Sequence, residues 1–254
     1  MKSERNHLIS IIVIKNNNQI FHGFKINLEN QKKVNFELII LNNNYGNYMG
    51  AREAYNSALK KVSGEVVIFM HPDIRFLDQY ALYDILKYEE HVKKYGVIGI
   101  AGCREKVRKG EKRILSSIFQ GDNKQRIGSE VKKPEIVQTV DECLFIIHTQ
   151  MLKNHSFSKL NGWHLYSVEQ CLKYDLLGYK NYVVPAKIWH LSSGNSLDFR
   201  YIIQLKSIFK KYKKNFSMIN TTVRNWKTNF FVEYVFLNYY LVKQFIKSKL
   251  LNHR

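Results

Sequence analysis

Apolar positions along this chain fall into short continuous runs separated by stretches with helical spacing. Residues 9–14 and 34–41 are runs of mainly aliphatic side chains, and residues 66–70 (Val-Val-Ile-Phe-Met) form a third. Runs of this length, rich in β-branched types, predict strands; the unbroken run at 66–70 predicts one buried on both faces. Between the first two, Phe21, Phe24 and Ile26 stand among polar neighbours and predict a helix. Between the second and third, Ala51, Ala54, Tyr55, Ala58, Leu59 and Val62 recur at helical spacing, closed by Ser63-Gly64. Strand, helix, strand, helix, strand is the order of a nucleotide-binding type of α/β half.

The rest of the chain is less regular. Asp78 is placed to cap a helix carrying Ala81, Leu82, Ile85, Leu86 and Val92 inward. Residues 96–102 predict a short strand. Residues 104–135 are polar and basic, with Ile114, Leu115, Ile118 and Phe119 as the one apolar cluster, and read as a long excursion over the surface. Strand character returns over 137–147 with Asp141-Glu142 embedded in it, where an unpaired buried charge is costly. A helix then runs through Cys171, Leu172, Leu176 and Leu177 to a Gly178 cap, followed by a strand at 182–185 and a polar loop from Trp189 to Gly194. The C-terminal segment reads as helical throughout: one face carries Phe199, Ile202, Leu205 and Phe209, another Trp226, Phe230, Tyr234 and Leu237, with Lys and Arg opposite. The expected organisation is an α/β domain over 1–196 and a basic amphipathic helical segment over 197–254.

The run at 66–70 leads straight into His71-Pro72-Asp73-Ile74. In open α/β sheets, ligands gather at the carboxyl ends of the strands. An imidazole and a carboxylate two residues apart at such an end point to a metal or phosphate site. The competing reading is a plain turn, since Pro and Asp are common turn residues.

Composition narrows the partners. The 254 residues carry a net charge of +19, which calls for an anionic partner: nucleic acid, acidic lipid or a phosphorylated substrate. The lysines are spread along the chain and no nucleic-acid motif is present, so no specific nucleic acid is expected. Three widely separated cysteines, an odd number, suggest a reducing compartment and no zinc-type cluster. The apolar run at 8–14 is too short, and lacks the cleavage site, for a secretory signal. No run is long enough to span a bilayer. A cytoplasmic protein is expected, with peripheral attachment at the inner face of the membrane left open.

These features occur in a familiar order. Gly50 through Asn56 leads to Ser63-Gly64-Glu65; Phe69-Met70-His71-Pro72-Asp73-Ile74 follows, then Val97-Ile98-Gly99-Ile100-Ala101-Gly102. Next come Val140-Asp141-Glu142, His164-Leu165-Tyr166 before Glu169-Gln170-Cys171-Leu172, Gly178, and His190-Leu191-Ser192-Ser193-Gly194. Over residues 8–196 the chain resembles the family 2-like nucleotide-sugar glycosyltransferases of the glycosyltransferase A fold. It is most similar to a bacterial branch with His-x-Asp where relatives carry Asp-x-Asp.

The resemblance implies a Rossmann-like mixed sheet flanked by helices. It also implies transfer of a sugar from a nucleotide-diphosphate sugar to an acceptor hydroxyl with inversion, in surface polysaccharide or glycolipid synthesis. The acceptor would be a saccharide or a lipid-linked saccharide. A divalent cation, Mn²⁺ or Mg²⁺, would neutralise the leaving diphosphate, with Asp73 and His190 as its protein contacts. His71 would join them or bond a phosphate or ribose oxygen. Relatives place an acidic base where this chain has Ser167; Glu169, two places on, is the favoured substitute, with Asp141 or Glu142 as alternatives. Asp141 and Glu142 would flank the donor sugar, and Trp163, His164 and Tyr166 would wall a sugar ring, Trp163 being equally suited to core packing. Asn43 stands near the expected base and ribose. Arg52 would meet a phosphate at a helix N-terminus, with Asn56 in the same motif.

Two other classes stay in view. One is a non-catalytic relative that binds saccharide or a partner, kept open by Ser167. The other is a basic nucleic-acid-binding protein. The C-terminal segment fits either an interfacial helix pair on anionic headgroups or ordinary packing on the α/β domain.

Overall fold

The structure, a computed structural model, describes residues 7–92, 94–192 and 198–251. The first half forms as β1 (Leu8–Lys15), α1 (Asn18–Glu29), β2 (Asn35–Asn42), α2 (Ala51–Ala58) with a 3-10 turn after it, and β3 (Val66–Met70). β1 pairs in parallel with both β2 and β3, so the carboxyl ends of all three strands open on one edge. The chain continues through β4 (Ile74–Phe76), α3 (Ala81–His91), β5 (Ile98–Gly99), β6 (Ala101–Cys103), β7 (Ile114–Ser116), β8 (Ile118–Gln120) and β9 (Gln125–Arg126). Then come β10 (Glu135–Val137), β11 (Thr139–Val140), β12 (Leu144–His148), α4 (Thr149–Asn154), α5 (Tyr166–Leu176), β13 (Asn181–Val183) and β14 (Ile188–His190). The last part holds α6 (Phe199–Tyr212), the hairpin β15 (Met218–Asn220) and β16 (Asn225–Lys227), a π-helical stretch at Phe231–Phe236, and α7 (Leu237–Leu251).

The main sheet has the order β10-β13-β5-β12-β3-β1-β2. β12 runs antiparallel between β3 and β5, which makes the sheet mixed. The unbroken apolar run of β3 is explained by its place: Val66, Ile68 and Met70 enter one core with α1 and α3, while Val67 and Phe69 enter the other with α2 and α5. Alternate side chains of a strand face opposite sides, so a central strand covered on both sides needs apolar residues at every position.

Several expectations are corrected. The 104–135 excursion is not a loose surface passage: it contributes β7, β8 and β9 to two small sheets, and Leu115, Ser116, Ser117 and Ile118 are buried. The strand expected at 96–102 splits into β5 and β6, which join different sheets. Gly99 and Gly102 permit that crossing, since a Cβ at either would lie 2.6 Å from Val140 Cβ or 2.4 Å from Thr139 O. Asp141 and Glu142 do not sit inside a strand; the chain breaks between β11 and β12 there, which keeps two adjacent carboxylates out of a dry ladder. Asp78 does not itself cap α3; its carboxylate accepts from Tyr80 N, and Tyr80 is the cap residue. The expected loop from Trp189 begins as strand, because β14 pairs with β4 and β8. Ser193, Gly194 and the boundary at 196 lie outside the described residues.

The C-terminal segment is not helical throughout, since β15 and β16 intervene. Nor does it stand apart. Val168 and Leu172 of α5 share a core with Ile202, Leu205 and Phe209 of α6, Trp226 of β16 and Leu237 of α7. The Gln138 amide reaches across to Met218 O, and Asn220 N donates to Gln138 Oε1.

Candidate active site

β3 ends where the sheet changes sense: its neighbour on one side is parallel β1 and on the other antiparallel β12. A strand order that switches there leaves a crevice at the carboxyl edge. His71-Pro72-Asp73 turns the chain out of the main sheet into β4, and β14 pairs with β4 so that His190 faces Ile74 in register. Leu191 N donates to Asp73 O and holds the two segments together. A pairing remote in sequence thus brings His190 to the His-x-Asp turn.

One potential ligand atom from each of His71, Asp73 and His190 lies within 4.8 Å of the others. His190 Nε2 is 3.2 Å from Asp73 Oδ2. That approach lacks hydrogen-bond geometry, and Asp73 Oδ1 and His190 Nε2 are both buried without a hydrogen-bond partner. Buried polar atoms are nearly always satisfied, so two orphans on residues that converge here fit a bound cation. Two imidazoles and one carboxylate suit Mn²⁺ better than Mg²⁺, which prefers oxygen. Burial pushes the His71 imidazole down, which favours the neutral form a metal needs. Burial alone would raise Asp73, but His190 and His71 hold it below the usual carboxylate range. Burial alone would likewise lower His190, but Asp73 lifts it above its ordinary value.

His71 Nε2 is 2.7 Å from the Tyr166 hydroxyl, which fixes the ring. Partners that orient a metal-binding histidine are worth a tenfold to hundredfold in affinity. Tyr166→Phe is therefore expected to weaken Mn²⁺ binding by roughly tenfold or more with the fold intact, measured by calorimetric titration.

Glu142 and Asp141 stand on the same cleft, a space of about 550 Å³. Glu142 Oε1 accepts from Tyr166 N at 2.8 Å. Burial, with Asp141 adding to it, pushes the Glu142 carboxyl up to about 8, against the opposing pull of Arg52. Asp141 is held by Cys143 N (3.1 Å) and by the Thr222 hydroxyl (3.0 Å). His164 also lines the cleft, and its Nε2 lies 3.4 Å from Asp198 Oδ1. Its imidazole is lowered by burial despite Asp198.

Other expected site residues are placed elsewhere. Arg52 is 1% exposed and meets no open surface where a phosphate would bind. Its guanidinium donates to Glu169 Oε2 (2.7 Å), His164 O (3.1 Å), Leu165 O (2.8 Å) and Gln204 Oε1 (3.3 Å). Glu169, favoured as the base, is the other half of that buried pair, and also accepts from Ser158 Oγ (2.7 Å) and Lys211 Nζ (3.0 Å). Burial would raise its carboxyl, but Arg52 and the hydrogen bonds hold it below the usual range. A carboxylate with both oxygens so engaged is a poor proton acceptor. Asn56 spends its amide on Phe157, donating to O at 2.9 Å and accepting from N at 3.1 Å. Asn43 Oδ1 accepts from Tyr48 N and shapes its own loop. Trp163 is half-buried against the α2–α5 core and does not line the cleft.

The cleft's far wall left little trace in the sequence. Tyr201 of α6 and Thr221, Thr222 and Val223 of the hairpin turn line it, with Ile114, Ser116 and Gln120 from the basic excursion. Hydroxyls in a turn carry no spacing pattern; the Thr-Thr pair between two strand-like triplets was the sole clue.

Comparison with known proteins bears on this arrangement. A mannosyltransferase from Pyrobaculum calidifontis, solved in complex with GDP-Man and Mn²⁺, superposes with a TM-score of 0.53 at 12% identity, covering 92% of this chain and 69% of that one. TarS of S. aureus, in complex with UDP-GlcNAc, gives 0.52 at 15% identity, covering 82% and 67%. The fold is thus the expected glycosyltransferase A type. A curated protein of Fuscovulum blasticum, ATP synthase subunits region ORF 6, is 24% identical over 163 residues, which is 61% of this chain and 62% of that protein. The family model described as "Glycosyltransferase like family" matches residues 10–214, so the chain belongs to the glycosyltransferase-like family.

Proposed function

We propose that this protein transfers a sugar from a nucleotide-diphosphate sugar to an acceptor hydroxyl, with inversion, in the synthesis of a surface polysaccharide or glycolipid. The observation that carries this is the meeting of His71, Asp73 and His190, two of their buried atoms unsatisfied, beside Asp141 and Glu142 on one cleft. Relatives of the same fold bound to GDP-Man with Mn²⁺ and to UDP-GlcNAc support the donor class. Asp73, His190 and His71 would hold a divalent cation, which would supply Lewis-acid neutralisation of the diphosphate. The acceptor is a saccharide or lipid-linked saccharide, and the setting is the cytoplasm with peripheral contact at an anionic membrane.

In this proposal Glu142 replaces Glu169 as the base. The acceptor O–H gives its proton to the Glu142 carboxylate while the acceptor oxygen bonds the anomeric carbon. The bond from that carbon to the diphosphate oxygen breaks, and its electron pair leaves with the diphosphate. Tyr166 N–H fixes the Glu142 oxygen, and Thr222 fixes Asp141 against the sugar hydroxyls. A base with a pKa near working pH is well matched to this task.

The Glu142 carboxyl loses its proton only near 8, so kcat/KM should rise with pH up to that value and level off. Glu142→Gln should remove both the inflection and nearly all turnover, about a thousandfold. Folding stability should move the other way. A carboxyl raised in the folded state contributes stability that is full below its ordinary value and is lost as pH rises through about 8. The pH–rate profiles of the protein and of Glu142→Gln check the first, and thermal melts of both across the same pH range check the second. A full rate retained in Glu142→Gln would remove this residue from the chemistry.

One observation favours a second function, a non-catalytic saccharide-binding relative. Ser167 at the usual base position is fully buried, its hydroxyl donating to Val140 O. Nucleotide-sugar binding without turnover, across donors and acceptors, would identify that case.

A further inference from the structure

The π-helical stretch and α7 are apolar on two sides. Val232, Phe236, Leu237 and Tyr240 pack into the core shared with α6. On the other side Phe230, Phe231, Tyr234, Tyr239, Val242 and Ile246 face solvent, from 51% exposed (Tyr234) to 74% (Phe230). At about 100° per residue they fall within one half of the helix circumference, opposite the half that carries Val232, Phe236, Leu237 and Tyr240. A helix apolar all round is normally covered all round, and an exposed stripe of this size marks a contact surface.

The charges of this segment decide what covers that face: Lys206 Nζ donates to Asn238 Oδ1 and Lys213 Nζ lies 5.9 Å from the Tyr234 ring. From Phe199 to Arg254 the sequence carries 12 Lys and Arg against one acidic residue, Glu233. That carboxylate is already paired with Lys213 at 2.8 Å. Lys210, Lys214, Lys227 and Lys243 are exposed. A second copy of the chain would bring the same positive field to the contact and be repelled. Nucleic acid would match the lysines but leave the rings in water. A bilayer with anionic headgroups matches both: the rings enter the acyl boundary and the lysines meet the headgroups. Among the described residues no helix is long and apolar enough to cross a membrane.

We propose that the stripe from Phe230 to Ile246 is a docking face that lies in the surface of an anionic membrane. α7 packs on α6, and α6 with its following hairpin supplies Tyr201, Thr221 and Thr222 to the cleft, so docking would hold the cleft close to the bilayer. The acceptor is then a lipid-linked saccharide presented at that surface. This last step rests on the transferase function proposed here; the docking face does not.

The test is flotation of the full chain with two vesicle types, pure phosphatidylcholine and phosphatidylcholine with about 30 mol% phosphatidylglycerol. Binding is expected to the anionic vesicles and far less to the neutral ones. Phe231→Ser with Tyr239→Ser and Val242→Ser should weaken it roughly tenfold or more, because affinity scales with the apolar area inserted. The melting temperature of this variant, and its shift with Mn²⁺ and nucleotide, should be unchanged, which separates failure of docking from failure of the transferase site. Equal binding of variant and parent would reduce the interaction to bulk charge and overturn the proposal. So would no flotation at all, or a sedimentation-detected dimer that the same substitutions dissolve.

Discussion

Asp73→Ala is expected to lower sugar transfer by about a thousandfold, equivalent to roughly 4 kcal/mol of transition-state stabilisation. Asp73 is the one carboxylate among the three residues that converge at the end of β3. Without it, two imidazoles remain, and an oxygen-seeking cation loses its anionic ligand. The same substitution also frees His190 from the charge that raises it, so this ring should return toward a lower value. The fold should tolerate the change, because Asp73 lies in a turn and its backbone carbonyl, not its side chain, holds Leu191. Initial rates with excess Mn²⁺, alongside thermal melting, check both halves. A variant that folds and turns over within about threefold of the parent would exclude a cation held by Asp73.

Arg52→Ala is expected to damage stability more than any other single change at the site. Arg52 is almost fully buried and ties α2 to the start of α5 and to α6 through four acceptors. Its removal leaves Glu169 inside the protein with Lys211 as its remaining cation. Breaking a buried pair by deleting one partner costs about 3–5 kcal/mol. In a chain of this size that is a fall in melting temperature of roughly 10 °C. Activity should fall with it: Leu165 holds a left-handed backbone (φ 58°) while its carbonyl accepts from Arg52, and the next N–H, that of Tyr166, holds Glu142. Arg52→Met with Glu169→Leu should recover part of the stability, since replacing both charges leaves no orphan. Thermal melts of the single and double variants measure this. A single variant within about 2 °C of the parent would show that the pair is not what holds these elements.

How far the sequence foretold this molecule depended on whether the deciding contacts were local. The run at 66–70 needs no partner to be recognised, because burial on both faces is written in consecutive residues. The same holds for α2, whose apolar stripe and preceding Gly50 lie within a dozen positions. β7, β8 and β9 were missed because strands of two or three residues have no period to read, and their ladders join distant segments. Asp141-Glu142 registered as an anomaly, and it marked a real break, but whether a carboxylate faces a cleft is settled by what packs around it. Glu169 shows the limit most clearly. An acid in the first turn of a helix reads alike as base or solvated charge, and its partner Arg52 is 117 residues away. His190 was placed at the site by resemblance alone; the physical cause is β14 pairing with β4.

A cation-dependent nucleotide-sugar site between His71, Asp73 and His190 is best tested by a thermal-shift panel of nucleotide diphosphates and nucleotide sugars, each with and without Mn²⁺ or Mg²⁺. A ligand that binds only the folded state must raise the melting temperature once its concentration exceeds its dissociation constant. One nucleotide class should raise it only together with the cation, more with Mn²⁺ than with Mg²⁺, and Asp73→Ala should abolish the shift. No shift with any of them at millimolar ligand, in a protein that melts cooperatively, would contradict it.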